Sequence, residues 1–244
     1  MTMHGIASQR RRDLLRLAAS TLVLGSLPLG GIAAESRLKI GVIGSGHVGS
    51  ALGTSWARAG HEVMFSSLDL EHDRKLAASV GANARAGTPR EAAAFGEVLL
   101  ISVPYGALPQ IGKDLGELLK GKAVIDTCNP FPNRDGEIAN WAREKGAGLA
   151  SAELLPGARI VRAFNAVGAA RMADAAQRGG PRSGMPMAGD DKQAIAVATR
   201  LVRDAGFEPV LVGGLAMGRH LIPGTALAGE RPPEEIRRIA ATLK

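Results

Sequence analysis

Short apolar runs alternate along the chain with stretches in which apolar residues recur every three or four positions. Leu38 to Ile43 is an apolar run rich in branched side chains, the pattern of a strand buried on both faces of a parallel sheet. Val48, Leu52, Trp56 and Ala59 then recur at helical spacing, and Gly60 closes that helix. His61 to Phe65 predicts a second strand and Ala82 to Arg85 a weak third. Thr88-Pro89 predicts a short helix, with threonine as cap and proline in the first turn. Val98 to Val103 is a strong buried strand. Leu108, Ile111, Leu115, Leu118 and Leu119 mark one face of a helix that stops at Gly121. Further strands follow at Ala123 to Asp126 and at Arg159 to Ala163. This rhythm predicts an α/β fold, a Rossmann-type doubly wound parallel sheet.

Residues 166–244 repeat the alternation on a smaller scale. Ser183 to Ala188 reads as a strand. Asp190 or Asp191 caps a helix whose apolar face is Ile195, Ala198, Leu201, Val202 and Ala205, and Gly206 stops it. Val210 to Val212 is a strand, and Pro233 starts a last helix with Ile236, Ile239, Ala240 and Leu243 inward. The expected organisation is a nucleotide-binding domain over 35–165 and a small C-terminal α/β lobe over 166–244. Gly179 to Arg182 forms a loop between them.

Residues 1–34 break the rhythm. A basic block, Arg10 to Arg16, runs into an apolar stretch from Leu17 to Leu29, which is too short to cross a bilayer comfortably as a helix. Gly31 and Ala33 stand at −3 and −1 of a cleavage point after Ala33, so the segment reads as a secretory signal peptide. Arg11-Arg12-Asp13-Leu14-Leu15-Arg16 resembles the twin-arginine signal, with Leu14 where phenylalanine is commonest. That implies export to the periplasm and no integral membrane segment after cleavage. The other readings are a basic tail or an uncleaved anchor, and a cytoplasmic protein if the signal is unused.

Composition narrows the chemistry. Apolar residues at 45% and charged residues at 22% exclude wholesale disorder, and 3% aromatics argue against stacking on single-stranded bases. A lone cysteine, Cys128, excludes a disulfide framework, and five scattered histidines offer no metal-ligand spacing. The net charge is +7, but four arginines and one aspartate in residues 1–34 supply +3, leaving +4. No nucleic-acid partner is expected.

Gly44-Ser45-Gly46-His47-Val48-Gly49 lies between the first strand and the first helix, the context that turns a weak glycine pattern into a dinucleotide loop. Gly44 allows the tight turn, Gly46 lets backbone approach a pyrophosphate, and Gly49 lets helix and strand pack closely. His47 either donates to a phosphate or is simply a loop residue. The second strand ends in Ser66-Ser67, without the carboxylate that NAD sites place there, so a 2′-phosphate is not repelled and two hydroxyls can donate to it. Arg74 and Lys75 either add charge there or are solvated helix residues.

Five stretches together resemble the NADP oxidoreductases of the coenzyme F420-dependent type: Gly41 to Gly49; Ser102-Val103-Pro104-Tyr105; Val124 to Pro130; Ser151 to Asn165; and Met187-Ala188-Gly189-Asp190-Asp191. The resemblance implies NADP(H) as cofactor and hydride exchange with a deazaflavin (coenzyme F420), a flavin or a similar small-molecule redox acceptor. It also implies a homodimer in many members. It assigns the pyrophosphate loop to Gly44, Ser45, Gly46, His47, Val48 and Gly49, the 2′-phosphate site to Ser66 and Ser67, and the nicotinamide side to Val103, Pro104 and Ala163. The family usually has Ser-Arg where this chain has Ser66-Ser67.

Hydride transfer between two rings needs proximity and alignment, not necessarily an acid or base, so no catalytic or metal-ligating residue is assigned. Asn129 and Asn165, just past strand ends, either orient ring or ribose groups or cap turns. Tyr105 either stacks near the nicotinamide or covers the sheet edge. Two further functions compete. Hydroxyacid and pyrroline-carboxylate dehydrogenases share the N-terminal half but continue into a longer helical domain. The other alternative is a catalytically idle NADP-binding or redox-sensing module.

Overall fold

The computed structural model describes residues 37–243, so the segment 1–34 expected to direct export lies outside the described residues. Eight strands form one sheet: β1 (Lys39–Ile43), β2 (Glu62–Ser66), β3 (Ala84–Ala86), β4 (Val98–Ile101), β5 (Ala123–Asp126), β6 (Arg159–Arg162), β7 (Gly184–Gly189) and β8 (Glu208–Gly213). Their order is β3-β2-β1-β4-β5-β6-β7-β8, and the first six run parallel. The helices are α1 (His47–Arg58), α2 (Leu70–Val80), α3 (Pro89–Phe95), α4 (Leu108–Leu119), α5 (Pro132–Asp135), α6 (Glu137–Lys145), α7 (Ala147–Leu154), α8 (Ala169–Asp174), α9 (Lys192–Asp204) and α10 (Pro233–Ala240).

Strand alternation divides the core between the two faces. Ile40, Val42, Leu100, Ile125 and Val161 pack with Leu52 and Trp56 of α1, Met172 of α8 and Leu201 of α9. Ile43, Leu99, Ile101, Val124 and Ile160 pack with Ala92 of α3, Leu108 and Leu115 of α4, and Ala150 of α7. This is the doubly wound arrangement. Caps set several helix starts. Thr88 and Glu91 form a reciprocal capping box on α3, Asp69 accepts from the His72 N–H on α2, and Asp191 accepts from the Ala194 N–H on α9.

The segment expected as a small lobe continues the same sheet. β7 pairs antiparallel with β6, and β8 pairs parallel with β7. Trp56 Nε1 donates to the Leu201 carbonyl at 2.8 Å, tying α1 to α9. Phe164 packs edge-on between Trp56 and Phe207. The described residues from Arg37 onward form one compact unit, within which Ala188, Val210, Leu221, Leu227 and Ile236 build a smaller hydrophobic cluster of their own.

Candidate functional site

Register places the parallel strand ends in one row. Ser66, Ile43, Ile101, Asp126 and Arg162 are successive partners across β2, β1, β4, β5 and β6. The residues that follow each of them form the carboxyl edge of the sheet. The chain order reverses between β2 and β4 on either side of β1, and open α/β sheets bind ligands at such a point.

The turn after β1 sits there. Gly44 has φ +97°, and a Cβ on it would lie 2.2 Å from the Ser102 carbonyl oxygen, so glycine is required. The N–H groups of Gly44 and Ser45 both donate to the Ser66 carbonyl, at 2.9 and 3.0 Å, which anchors the turn to β2. A Cβ on Gly49 would lie 2.0 Å from the Gly44 carbonyl oxygen, so α1 reaches the turn only because that position is glycine. Gly46 differs: it is exposed, its φ is an ordinary −66°, and nothing lies within 4 Å of a Cβ built there. Gly46 has no side chain to cap α1, and among the described residues no side chain accepts from the first N–H groups of this twelve-residue helix. His47 is exposed and lines an open groove with Ser50, Thr54 and Arg58. Val48 is half-buried.

The tip of β2 departs from the sequence reading in two ways. Ser66 is fully buried, and its hydroxyl donates to the Val42 carbonyl at 2.6 Å, so it presents no donor to a ligand. The carbonyl it meets belongs to the adjacent strand β1. A carboxylate does stand at the tip, arriving from the next helix. Asp73 of α2 is fully buried and accepts from the hydroxyls of Ser45 and Ser67, the latter at 2.9 Å. It thereby links the glycine turn to the end of β2. Arg74 and Lys75, on the same helix, are well exposed and lie 3.8 and 3.9 Å from Glu71.

Val103 and Pro104 follow β4, half-buried and exposed respectively. Tyr105 does not face the edge. It is fully buried, its hydroxyl lies 3.2 Å from both the Ala147 carbonyl and Ser151 Oγ, and burial pushes its pKa up. Cys128 is buried against Ile101, and burial foremost, with Asp126 beside it, raises its thiol well above the usual range.

Past β5 and β6 lies a polar cluster only partly visible to sequence reasoning. Arg162 and Asp126, both without exposed surface, pair at 2.6 Å. Arg162 also donates to the Cys128 carbonyl at 3.1 Å and to Asn129 Oδ1 at 3.3 Å. Asn129 Nδ2 donates to the Asn165 carbonyl at 2.9 Å, and Asn165 Nδ2 donates to Asn129 Oδ1 at 3.4 Å. Arg162 Nε and Asn165 Oδ1 are buried without a partner. Ala163 is buried, and Phe164, at φ +65°, is the one non-glycine residue in the left-handed region among the described residues. The signal for this cluster was an arginine inside an apolar strand run, where a charge is expensive unless paired. A second unforeseen residue, Asp135, accepts from the N–H groups of Gly106 and Phe131 and pairs with Arg134 at 2.8 Å, joining the loops after β4 and β5.

A Rossmann-type sheet with its glycine turn and polar cluster along one carboxyl edge defines the class of fold. The comparisons with known proteins agree with it. Residues 39–130 match the family model described as NADP oxidoreductase, coenzyme F420-dependent. The F420-dependent NADP reductase of Methanothermobacter thermautotrophicus is 28% identical over 198 residues, covering 75% of this chain and 84% of that protein. The crystal structure of a hypothetical protein from Sinorhizobium meliloti superposes with a TM-score of 0.65 at 24% identity, covering 79% of this chain and 93% of that one. Mycobacterium tuberculosis 3-hydroxyisobutyrate dehydrogenase shares the fold at a TM-score of 0.55 and 19% identity. There the match covers 75% of this chain but 57% of the dehydrogenase, which continues beyond the shared part. The expected reaction class, NADP-linked oxidoreduction, is the one the reductase relative carries by name.

Proposed function

We propose that the protein is an NADP(H)-dependent oxidoreductase that exchanges a hydride between the nicotinamide and a second ring, a deazaflavin of the F420 type or a flavin. The observation that carries this reading is the glycine turn: open at Gly46, anchored to β2, and leading into an uncapped helix start. Such a start offers N–H donors and a favourable dipole to a pyrophosphate. The residue set fits the dinucleotide, while Asp73 behind Ser67 at the β2 tip weakens the preference for a 2′-phosphate. Ser45 to Gly49 would hold the pyrophosphate, and Ser67 with the β2 tip would meet the adenosine ribose. Val103, Pro104, Ala163 and Asn165 would border the nicotinamide. The bound cofactor supplies the hydride. The protein's part is to hold two rings in register and keep water from between them, which by itself lowers the barrier through lost motion paid in advance. The Asp135 contacts to Gly106 and Phe131 serve this by fixing the two loops that flank the nicotinamide side.

The arginine pair and apolar stretch of residues 1–34 support export by the twin-arginine route to the periplasm, and a second copy of the chain is the proposed assembly partner. The test of the activity is steady-state oxidation of NADPH with oxidised F420, FMN or a ferric chelate offered in turn. Turnover with a ring acceptor is the expected result. Tight NADPH binding with no turnover on any acceptor would instead favour an idle or sensing module. Replacing Arg11 and Arg12 together by lysine is expected to leave the precursor in the cytoplasm. Wild-type protein found only there by fractionation would overturn the export reading.

A further inference from the structure

The tip of β2 brings no cation to a 2′-phosphate. Ser66 is spent on the Val42 carbonyl, and Ser67 donates to the buried carboxylate of Asp73 at 2.9 Å. Arg74 and Lys75 stand beside Glu71 on exposed positions of α2. A dianionic group placed here therefore needs its counter-charge from a neighbouring element. Sheet register names that element. Phe65 of β2 pairs with Ala86 of β3, and the Gly87 N–H donates to the Phe65 carbonyl at 3.0 Å. Neighbouring strands lie about 4.8 Å apart, so the segments Ser67-Leu68 and Thr88-Pro89-Arg90 leave the carboxyl edge side by side. Leu68, Thr88 and Arg90 border one cavity of about 650 Å³, whose opposite wall is Ile111, Lys113 and Asp114 of α4. That volume suits a small-molecule site, and Leu68, wholly exposed at its rim, with Ile111 gives it apolar surface for a ring.

Arg90 is the cation of this cavity that lies on the segment beside Ser67. Its Nη2 donates to the main-chain carbonyl of Asp114 at 3.2 Å, and no carboxylate among the described residues pairs with it. A guanidinium carries five N–H donors in a planar fork, so most of them stay unused. The carboxylates around it have other partners. Asp69 accepts from the His72 N–H at 2.9 Å, Glu91 from the Thr88 N–H at 2.7 Å, and Asp114 from Gln110 Nε2 at 2.8 Å, while Asp73 holds Ser45 and Ser67. An exposed arginine tethered by one neutral acceptor is arranged to fork onto an anion from outside. We propose that Arg90 sets the nucleotide preference: it pairs with the 2′-phosphate from the β3 side of the cavity and offsets the repulsion from Asp73. The inference rests on the NADP(H) reading above and deepens it, by naming the charge that separates NADP from NAD.

The test measures dissociation constants for NADP and NAD by calorimetry on the full chain, at one salt concentration because the contact is charge on charge. Wild type is expected to favour NADP about tenfold. Arg90→Gln removes the charge and keeps an amide donor at an exposed position, so the fold is retained. Its ratio is expected to fall to unity or below, since Asp73 remains, with NAD affinity unmoved. Arg90→Lys is expected to fall between the two, because an ammonium keeps the charge without the fork. Arg74→Gln takes the same charge from an exposed position on α2 and is expected to keep the wild-type ratio. An Arg90→Gln variant with the wild-type preference would overturn the proposal. So would an equal fall in Arg74→Gln, which would mark the general field of the surface and not a contact. Wild type that binds the two dinucleotides equally would overturn it as well, leaving a dinucleotide site without a phosphate reader. Wild type that binds neither would instead overturn the NADP(H) reading, and the inference with it.

Discussion

Gly46→Val separates the ligand from the fold. Gly46 stands before α1 at φ −66° and ψ −164°, extended backbone that valine adopts readily, and a side chain there meets no atom within 4 Å. The cost to stability is the weaker helix start of an aliphatic residue, about 0.5–1 kcal/mol. Neighbouring glycines cannot serve. Substitution at Gly44 forces a side chain at φ +97° to within 2.2 Å of the Ser102 oxygen, and at Gly49 to 2.0 Å from the Gly44 oxygen, so either would damage the turn itself. If a pyrophosphate uses the uncapped N–H groups of α1, the valine methyls take its place and at least two charge-assisted hydrogen bonds are lost. At roughly 1.5–3 kcal/mol each, the affinity for NADPH falls by about 10²–10⁴-fold. Calorimetric titration reads that loss, and thermal melting reads the fold. A variant that melts within a few degrees of wild type and binds NADPH with unchanged affinity would refute the assignment of the turn to the pyrophosphate.

Three further outcomes follow from the geometry. Asp73→Asn keeps an oxygen for one of the Ser45 and Ser67 hydroxyls, turns an amide NH2 donor toward the other, and removes a buried negative charge beside the β2 tip; the affinity ratio of NADP to NAD is expected to rise about tenfold, and an unmoved ratio would place the ribose elsewhere. Tyr105→Phe removes a hydroxyl that bonds inside the core while Ser151 keeps its own bond to the Ala147 carbonyl at 2.9 Å; urea unfolding should show a loss of about 1 kcal/mol with no change in NADPH affinity, and a large affinity loss would return Tyr105 to the ligand site. Burial alone would raise the pKa of Asp135, but hydrogen bonds from Arg134, Phe131 and Gly106 outweigh it and hold the carboxyl below its ordinary value. Asp135 therefore stabilises the fold fully above the unfolded aspartate pKa of about 3.9, and that contribution is lost as pH falls through the lower folded value. Unfolding of wild type and Asp135→Asn from pH 3 to 7 should show curves that converge only at the acid end; a constant gap would mean that the charge plays no part.

The parts of the fold legible in the sequence are those where periodicity is strong and burial two-sided. β1, β4, β5 and β6 stand where apolar runs predict them, and Thr88-Pro89, Asp191 and Gly206 punctuate helices as their chemistry requires. The helices α2, α6 and α7 gave little signal. α2 buries only Asp73 and Ala77, and α7 is alanine-rich with small residues on every side, so neither shows an apolar stripe. That gap carried a functional cost. Without α2 there was no reason to bring Asp73 to the β2 tip, and Ser66-Ser67 read as two free hydroxyls. In the structure one of them serves the sheet and the other serves Asp73.

The same difference in reach explains why the glycine turn could be read and the polar cluster could not. Backbone requirements are local: a turn at φ +97° and a helix packed against it ask for glycine at fixed offsets, and the sequence displays those offsets directly. The cluster is built across the sheet. Asp126 and Arg162 are cross-strand partners separated by 36 positions, and Asn129 and Asn165 meet only because both strands end in the same row. What can be read locally is the anomaly, a charge in a run that should be apolar, and not its partner. A buried charge must be paired or it destabilises the fold, so an arginine in a predicted central strand implies a carboxylate within a side chain's reach on a neighbouring strand. In a parallel sheet with aligned ends, that carboxylate belongs at the same carboxyl edge. For this chain the condition selects Asp126, which closes an apolar strand on the adjacent position in the sheet and pairs with Arg162 at 2.6 Å.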